Sequence, residues 1–166
     1  MEKDTFISVI NENQNLIFKI CYSYCSNPEN RKDLQQEILI QLWNSFPTFD
    51  GRAKMSTWIY RIALNTAITF YRNDRNKHPD NVVAIDSEVI SIPTTDYDNA
   101  EQHETIGMLY QFIGRLNEMD KALILLYLDD NKYKDIADIL GISETNVATK
   151  INRIKKYLSE QFRKYA

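Results

Sequence analysis

The feature that most constrains the fold is an acidic segment near the middle of the chain. Residues 79–104 carry seven acidic side chains and no Lys or Arg, a charge of -7. The segments before and after it each carry ten basic and eight acidic residues, a charge of +2, so the net charge is -3. So polar a segment buries too little apolar surface to form its own core. The sequence predicts two domains, residues 1–78 and 105–166, joined by a flexible acidic linker over residues 79–104.

Two interpretations of this linker remain open: it is a solvating spacer, or it is a negatively charged strand that occupies a basic channel in a partner. The flanking domains are predicted to be helical. Most of their apolar residues recur at spacings of three and four, which is the helical period. Four Gly and four Pro in 166 residues are too few for the turns of an all-β protein. The predicted fold class is all-α, with two small helical domains.

The sequence carries no signal for export, membrane insertion or metal binding. The first four residues, Met1 to Asp4, are mostly charged, and no apolar stretch approaches the roughly 20 residues that span a bilayer. We therefore expect a cytoplasmic protein without membrane insertion. Cys21 and Cys25 lie one helical turn apart and are predicted to be buried thiols rather than a disulfide. His78 and His103 are distant in sequence, so we expect no metal site and no cofactor.

The C-terminal domain has the pattern of a helix-turn-helix. Residues 105–128 are predicted to form two helices, and Asn131 is predicted to cap a third that ends at Gly141. Ala137 is small where the two helices of such a motif cross closely. Ser143 is a suitable N-cap for a long last helix. The inner face of that helix is predicted to consist of Val147, Ile151, Ile154 and Leu158.

The outer face of the last helix is polar and basic. Six cations and one acid lie between Lys150 and Lys164. Short polar groups and cations suit base edges and phosphates. The alternative, a plain helical hairpin with a solvated basic face, leaves the agreement of turn, caps and charge unexplained. DNA binding is predicted for a face made of Thr145, Ala148, Thr149, Lys150, Asn152, Arg153, Lys155 and Lys156.

The N-terminal domain is predicted to begin with one helix over residues 5–25. Asn27 and Pro28 are a cap and a first helical residue, which starts a second helix. One face of that helix carries Leu34, Ile38 and Leu42. Another carries Asp33, Gln36 and Glu37, and a polar face of this kind is usually solvated. Trp43 is predicted to belong to the core.

Aromatic residues alternate with arginines in a further predicted helix, from Ser56 to Arg75. Aromatic rings stack on unpaired bases and guanidinium groups bind phosphates, so this composition suits single-stranded DNA. Large aromatic residues are also frequent in cores. Trp58 is therefore open to both interpretations, core residue or DNA contact.

Two motifs of the N-terminal domain resemble conserved region two of bacterial sigma factors. They are Asp33-Leu34-Gln35-Gln36-Glu37 and Thr57-Trp58-Ile59-Tyr60-Arg61-Ile62-Ala63-Leu64-Asn65. The C-terminal helix-turn-helix resembles region four of the same proteins. The short two-domain layout resembles the extracytoplasmic-function group. The resemblance implies a non-enzymatic sigma factor that binds core RNA polymerase and directs promoter recognition, melting and transcription initiation at a specific set of promoters.

The resemblance also implies roles for individual residues. The clamp helices of the largest polymerase subunit would be bound by Asp33, Gln36 and Glu37. The minus-ten element would be contacted by Lys54, Trp58, Arg61, Asn65 and Arg72, with a flipped base near the loop at 49–54. The minus-thirty-five element would be contacted by Thr149, Lys150, Asn152, Arg153 and Lys156. The linker would run through the active-site cleft and RNA exit channel, and an anti-sigma protein would be a further partner.

Two other function classes compete with this interpretation. An ordinary transcription regulator would bind duplex DNA without polymerase and would use residues 1–78 as a sensor or dimer face. An enzyme acting on nucleic acid would need a metal-ligand cluster, a phosphate-binding glycine loop or a nucleophile beside a base, and the sequence shows none of these patterns.

Overall fold

A computed structural model describes the backbone over residues 2–77 and 100–165 and the side chains over residues 2–73 and 104–165. The predicted linker lies outside the described residues as far as residue 99. The chain divides into two compact units, Met1–Val82 and Val83–Ala166. Every regular element in the described ranges is a helix, which confirms the predicted all-α fold.

The N-terminal unit is built around one central helix. Its helices are α1 (Glu2–Glu12), α2 (Gln14–Tyr24), α3 (Pro28–Ser45), a 3-10 turn (Phe46–Thr48) and α4 (Met55–Lys77). Helix α3 packs against both α2 and α4. The predicted inner face of α3 is confirmed, because Leu34, Ile38 and Leu42 are fully buried. Helices α2 and α4 also carry fully buried apolar side chains, among them Ile20, Ile59 and Ala63.

The single helix predicted over residues 5–25 is two helices, and that prediction was wrong. The break is at Asn13, whose side chain donates a hydrogen bond to the Val9 carbonyl oxygen at 2.8 Å. The backbone N–H of Asn13 donates to the Ile10 carbonyl oxygen, three residues back, at 3.1 Å. Asn competes with the helix for backbone partners in this way, so the helix turns although its apolar pattern continues.

Arg31 stabilises the turn between α2 and α3. Its Nε donates to the Cys25 carbonyl oxygen at 3.0 Å and its Nη2 donates to the Ser26 carbonyl oxygen at 2.7 Å. The guanidinium also lies 4.1 Å from the ring centroid of Tyr22. The residue is only 7% exposed. Asn27 caps α3 as predicted, because its Oδ1 accepts a hydrogen bond from the backbone N–H of Asn30.

The two cysteines are free and buried, as predicted. Burial, and then the neighbouring Cys25, raise the pKa of the Cys21 thiol from 9.0 to about 12. In the wild-type protein at pH 8, we expect Cys21 to react with iodoacetamide about a thousandfold more slowly in the folded state than in guanidinium chloride, because the thiolate is the reacting form. Mass spectrometry of timed samples measures both rates. Equal rates would contradict the assigned environment.

The C-terminal unit consists of α5 (Ala100–Gly114), α6 (Glu118–Leu128), α7 (Tyr133–Leu140) and α8 (Glu144–Tyr165). Helix α5 begins before residue 105. Helix α8 packs against the other three helices. Its predicted inner face is confirmed, because four residues at the expected spacing are buried: Val147, Ile151, Ile154 and Leu158.

The turn of the helix-turn-helix has the predicted local chemistry. Gly141 ends α7 with a φ of 70°, a left-handed conformation that L side chains rarely adopt. Ser143 caps α8, because its Oγ accepts a hydrogen bond from the backbone N–H of Asn146 at 3.1 Å. The prediction for Asn131 was wrong. Its side chain donates to the Leu126 carbonyl oxygen at 2.9 Å, so it closes α6, and the N-cap position of α7 is Lys132.

Candidate functional site

The polar face of α3 lies opposite the buried face of the same helix. Asp33 and Gln36 are exposed, and Glu37 is half-buried. The carboxylate of Glu37 accepts a hydrogen bond from Gln41 Nε2 at 3.1 Å. The three side chains therefore share one surface that is held by a well-packed helix.

A groove of about 650 Å³ runs between α3 and α4. Asp33 and Glu37 lie on its α3 side, and Asn65 lies on its α4 side. The groove thus places two residues predicted to bind polymerase, Asp33 and Glu37, close to Asn65, which was predicted to contact the minus-ten element. The rest of the lining is polar apart from one ring: Asn30, Gln41, Thr66, Thr69, Phe70 and Asn73.

The residues predicted for the minus-ten element share one face of α4. Their spacings of four, three, four and seven residues place them along a single helical stripe. Four of the side chains are exposed and Trp58 is half-buried; the exposed ones are Lys54, Arg61, Asn65 and Arg72. The backbone N–H of Trp58 donates to the Lys54 carbonyl oxygen at 3.1 Å, which places Lys54 at the start of α4.

Trp58 belongs to a chain of aromatic rings. Its ring centroid lies 5.4 Å from that of Phe49 and 6.3 Å from that of Phe46. Phe46 is 5.3 Å from Phe6, which is 5.0 Å from Trp43. The prediction that Trp43 is a core residue was wrong, because 45% of it is exposed. Leu42, one residue earlier, is fully buried, and Trp43 lies about 100° further around the helix, off the buried face of α3.

The loop that joins Phe49 to α4 is ordered by a local contact. The Asp50 carboxylate accepts a hydrogen bond from the backbone N–H of Arg52 at 3.0 Å and pairs with Arg52 Nε at 3.1 Å. Gly51 between them has a φ of 79°. Phe49, where this loop begins, packs against the Trp58 ring, near which the resemblance implies a flipped base.

The outer face of α8 carries four of its five predicted DNA contacts. These four side chains are exposed and lie three or four residues from one another: Thr149, Asn152, Arg153 and Lys156. Lys150 is half-buried and lies about 100° around the helix from Thr149, so it flanks this face instead of joining it. Lys155, by contrast, lies 4.4 Å from the Tyr127 ring centroid. A side-chain hydrogen bond with Tyr127 is the main cause that raises the pKa of Lys155.

Arg153 has a partner that sequence reasoning missed. Its Nη2 lies 3.2 and 3.1 Å from the two carboxylate oxygens of Asp120 on α6. The Arg153 side chain is 61% exposed and that of Asp120 is 9% exposed. The sequence signal for Asp120 was local only, since it follows Asn117 at the spacing of a helix-capping pair. Nothing local indicates a contact across 33 residues.

Among the residues whose placement is described, no group of three or more His, Cys, Asp and Glu side chains could hold a metal ion. No helix within those ranges is long and apolar enough to cross a membrane.

Comparison with known proteins shows which class these two units define. The family model for Sigma-70 region 2 matches residues 9–77, and that for Sigma-70, region 4 matches residues 106–158. Fold and matches together define a sigma factor of the Sigma-70 type.

Individual relatives narrow this assignment. The ECF RNA polymerase sigma factor SigW of Bacillus subtilis is 27% identical over 98% of this chain and 91% of its own length. The RNA polymerase sigma factor YlaC of the same organism is 28% identical over 82% of this chain and 79% of its own length. The chain belongs to the extracytoplasmic-function group of sigma factors, which bind core RNA polymerase and promoter DNA and direct transcription initiation at specific promoters.

The fold is also that of solved structures. The sigma factor RpoE of Bartonella quintana, solved in complex with the anti-sigma factor NepR, has a TM-score of 0.72 to this chain. The match covers 97% of this chain and 96% of RpoE, at 17% sequence identity.

Proposed function

We propose that this sigma factor binds the clamp helices of the largest polymerase subunit through Asp33, Gln36 and Glu37. The observation that carries the proposal is the exposure of this polar face on a helix whose opposite face is fully buried. A rigid helix presents its side chains in a fixed arrangement, which lowers the entropy cost of binding. Two carboxylates on this face suit basic groups of a partner helix.

The α4 stripe is proposed to recognise and open the minus-ten element. Arg61, Arg72 and Lys54 supply exposed positive charge for phosphates, and the half-buried Trp58 ring supplies a stacking surface for an unpaired base. Asn65 lies where this stripe meets the groove beside Asp33 and Glu37. We infer that DNA and polymerase are bound next to each other at this point.

The α8 face is proposed to contact the minus-thirty-five element of duplex DNA. The exposed residues of the outward face are Thr149, Asn152, Arg153 and Lys156, and the half-buried Lys150 lies on its flank. Residues 1–78 would then serve as region two and residues 105–166 as region four, with the acidic segment 79–104 as their linker. Because this segment repels phosphates, we expect weak binding of free duplex DNA by the isolated chain.

The remaining assignments follow from family membership. The protein is proposed to act without catalysis of its own, in the cytoplasm. An anti-sigma protein is proposed as a further partner, because RpoE of Bartonella quintana was solved with such a protein. Its binding would keep this chain from polymerase until a signal releases it.

The test is the binding of core RNA polymerase by the purified chain. We expect the triple variant Asp33→Ala/Gln36→Ala/Glu37→Ala to bind at least about tenfold more weakly, because it removes the central polar contacts of the interface. A matched control removes the same side-chain types from an exposed surface elsewhere in the N-terminal unit, namely Asp4→Ala/Glu12→Ala/Gln14→Ala. Retained affinity in the first triple variant would refute the assigned face. No binding by folded wild-type protein would favour the ordinary regulator.

A further inference from the structure

The carboxylate of Asp120 is held in a fixed position at the start of α6. Asn117, the N-cap, accepts a hydrogen bond from the backbone N–H of Asp120 at 2.9 Å. In return, Asn117 Nδ2 donates to Asp120 Oδ2 at 3.1 Å. The side chain is 9% exposed, and the N-terminal end of the helix favours its negative charge. The position of the Asp120 carboxylate is therefore fixed within the protein before DNA binds.

The Asp120 carboxylate binds one edge of the Arg153 guanidinium on α8. Arg153 uses only Nη2 to contact both Asp120 oxygens. A guanidinium group has five N–H donors in one plane, so Nε and Nη1 take no part in this contact. The Arg153 side chain remains 61% exposed. Bidentate recognition of guanine O6 and N7 requires two coplanar donors of this kind, held in the right direction.

The contact also changes what Arg153 binds best. An arginine without an anionic neighbour binds any phosphate, because the attraction depends on charge alone. Pairing with Asp120 reduces the local positive charge and restricts the rotamers of the side chain. Both effects weaken indiscriminate phosphate binding, while a fixed orientation favours a contact with defined geometry.

We propose that Asp120 is a positioning residue for promoter recognition: it orients Arg153 so that the guanidinium reads a guanine in the minus-thirty-five element. The proposal rests on the function proposed above for the α8 face and adds a specificity determinant on α6. A purely structural ion pair between α6 and α8 would contribute to stability and leave base preference unchanged. The two roles therefore differ in a measurable way.

The experiment selects promoter sequences with the assembled holoenzyme. Full-length protein and core RNA polymerase are incubated with duplex fragments randomised over the minus-thirty-five element, and the retained fragments are sequenced. We compare wild type with Asp120→Asn, Arg153→Ala and the double variant. The charge control is Asp138→Asn, which changes an exposed carboxylate on α7.

We expect wild type and Asp138→Asn to enrich a guanine at one position, and Arg153→Ala to lose that enrichment. Asp120→Asn is expected to reduce it about tenfold, the scale of one bidentate base contact. Retention of fragments without this guanine should rise. Their binding should also weaken more steeply with increasing salt concentration, by the amount expected for about one additional phosphate contact. Unchanged guanine enrichment in Asp120→Asn would overturn the proposal. The proposal would also be overturned if Asp120→Asn shifted the selected sequences equally in the Arg153→Ala background and in the wild-type background.

A second pair of variants separates orientation from folding. Asp120→Glu retains the charge but moves the carboxylate by one methylene, and Arg153→Lys retains a cation but lacks the planar fork. Both are expected to keep the thermal midpoint of wild type and to lose guanine enrichment; retained enrichment in both would overturn the proposal even if Asp120→Asn does not fold. If wild-type holoenzyme enriches no sequence over this element, the function proposed for the α8 face itself fails.

Discussion

Replacing Arg31 by Met is expected to lower the free energy of unfolding of the N-terminal unit by about 3 kcal/mol, since hydrogen bonds to a charged group contribute about 1.5–3 kcal/mol each. The variant removes the guanidinium donors from the carbonyl oxygens of Cys25 and Ser26 in a partly buried turn. Met retains most of the apolar volume against Tyr22, so the loss reports the polar contacts. Urea unfolding followed by tryptophan fluorescence measures this unit alone, because Trp43 and Trp58 are the two tryptophans of the chain.

The control for this experiment is Lys32→Met, which removes a cation from the next position of α3, where the side chain is exposed. We expect it to change the free energy of unfolding by less than about 0.5 kcal/mol, as is usual for surface substitutions. If Arg31→Met and Lys32→Met unfold at the same urea concentration as wild type, the turn between α2 and α3 does not depend on the buried guanidinium.

Replacing Trp58 by Ala is expected to lower the rate of promoter opening by about tenfold to a hundredfold, since stacking of a base on an aromatic ring contributes about 1–3 kcal/mol. The ring is half-buried against Phe49 and Phe46 and lies on the stripe that carries Arg61. Affinity for core polymerase should be retained, because the polar face of α3 is unchanged. Permanganate reactivity of thymines near the start site measures opening by the holoenzyme.

A template that is already unpaired at the minus-ten element distinguishes opening from other defects. We expect this template to restore most transcription by Trp58→Ala, because unpaired bases no longer need to be captured from the duplex. The control is Phe18→Ala, which removes a half-buried aromatic residue of α2 whose ring packs on Tyr22 at a centroid distance of 4.3 Å. Equal opening by Trp58→Ala and wild type would exclude a stacking role for this ring.

Several parts of the fold were predictable because they depend on neighbours a few residues apart. The inner faces of α3 and α8 follow from apolar spacing alone. Gly141 and Ser143 mark the turn of the helix-turn-helix through their own backbone and side-chain chemistry. The failures at Asn13 and Asn131 have a common cause. An Asn side chain can bond a carbonyl oxygen behind it or an N–H ahead of it, and the sequence does not indicate which.

The sequence predicted the helix face on which each residue of the candidate site lies. It did not predict which residues of other helices lie beside it. Helical periodicity places Trp58, Arg61 and Asn65 on one stripe without reference to the rest of the chain. Trp43 lies about 100° around α3 from the fully buried Leu42, so its coverage depends on which other elements pack beside that edge of the helix. Its 45% exposure is therefore a property of the packing.

The sequence by itself determined the helical class, the helix-turn-helix, the division at the acidic segment and the faces that the helices expose, because each depends on local composition and on the period of one helix. Only the tertiary structure decided which faces meet. It places Asn65 across a groove from Asp33 and binds Arg153 to Asp120, 33 residues earlier. Such contacts depend on the angle and register at which helices pack, which arise from the shapes of many side chains together.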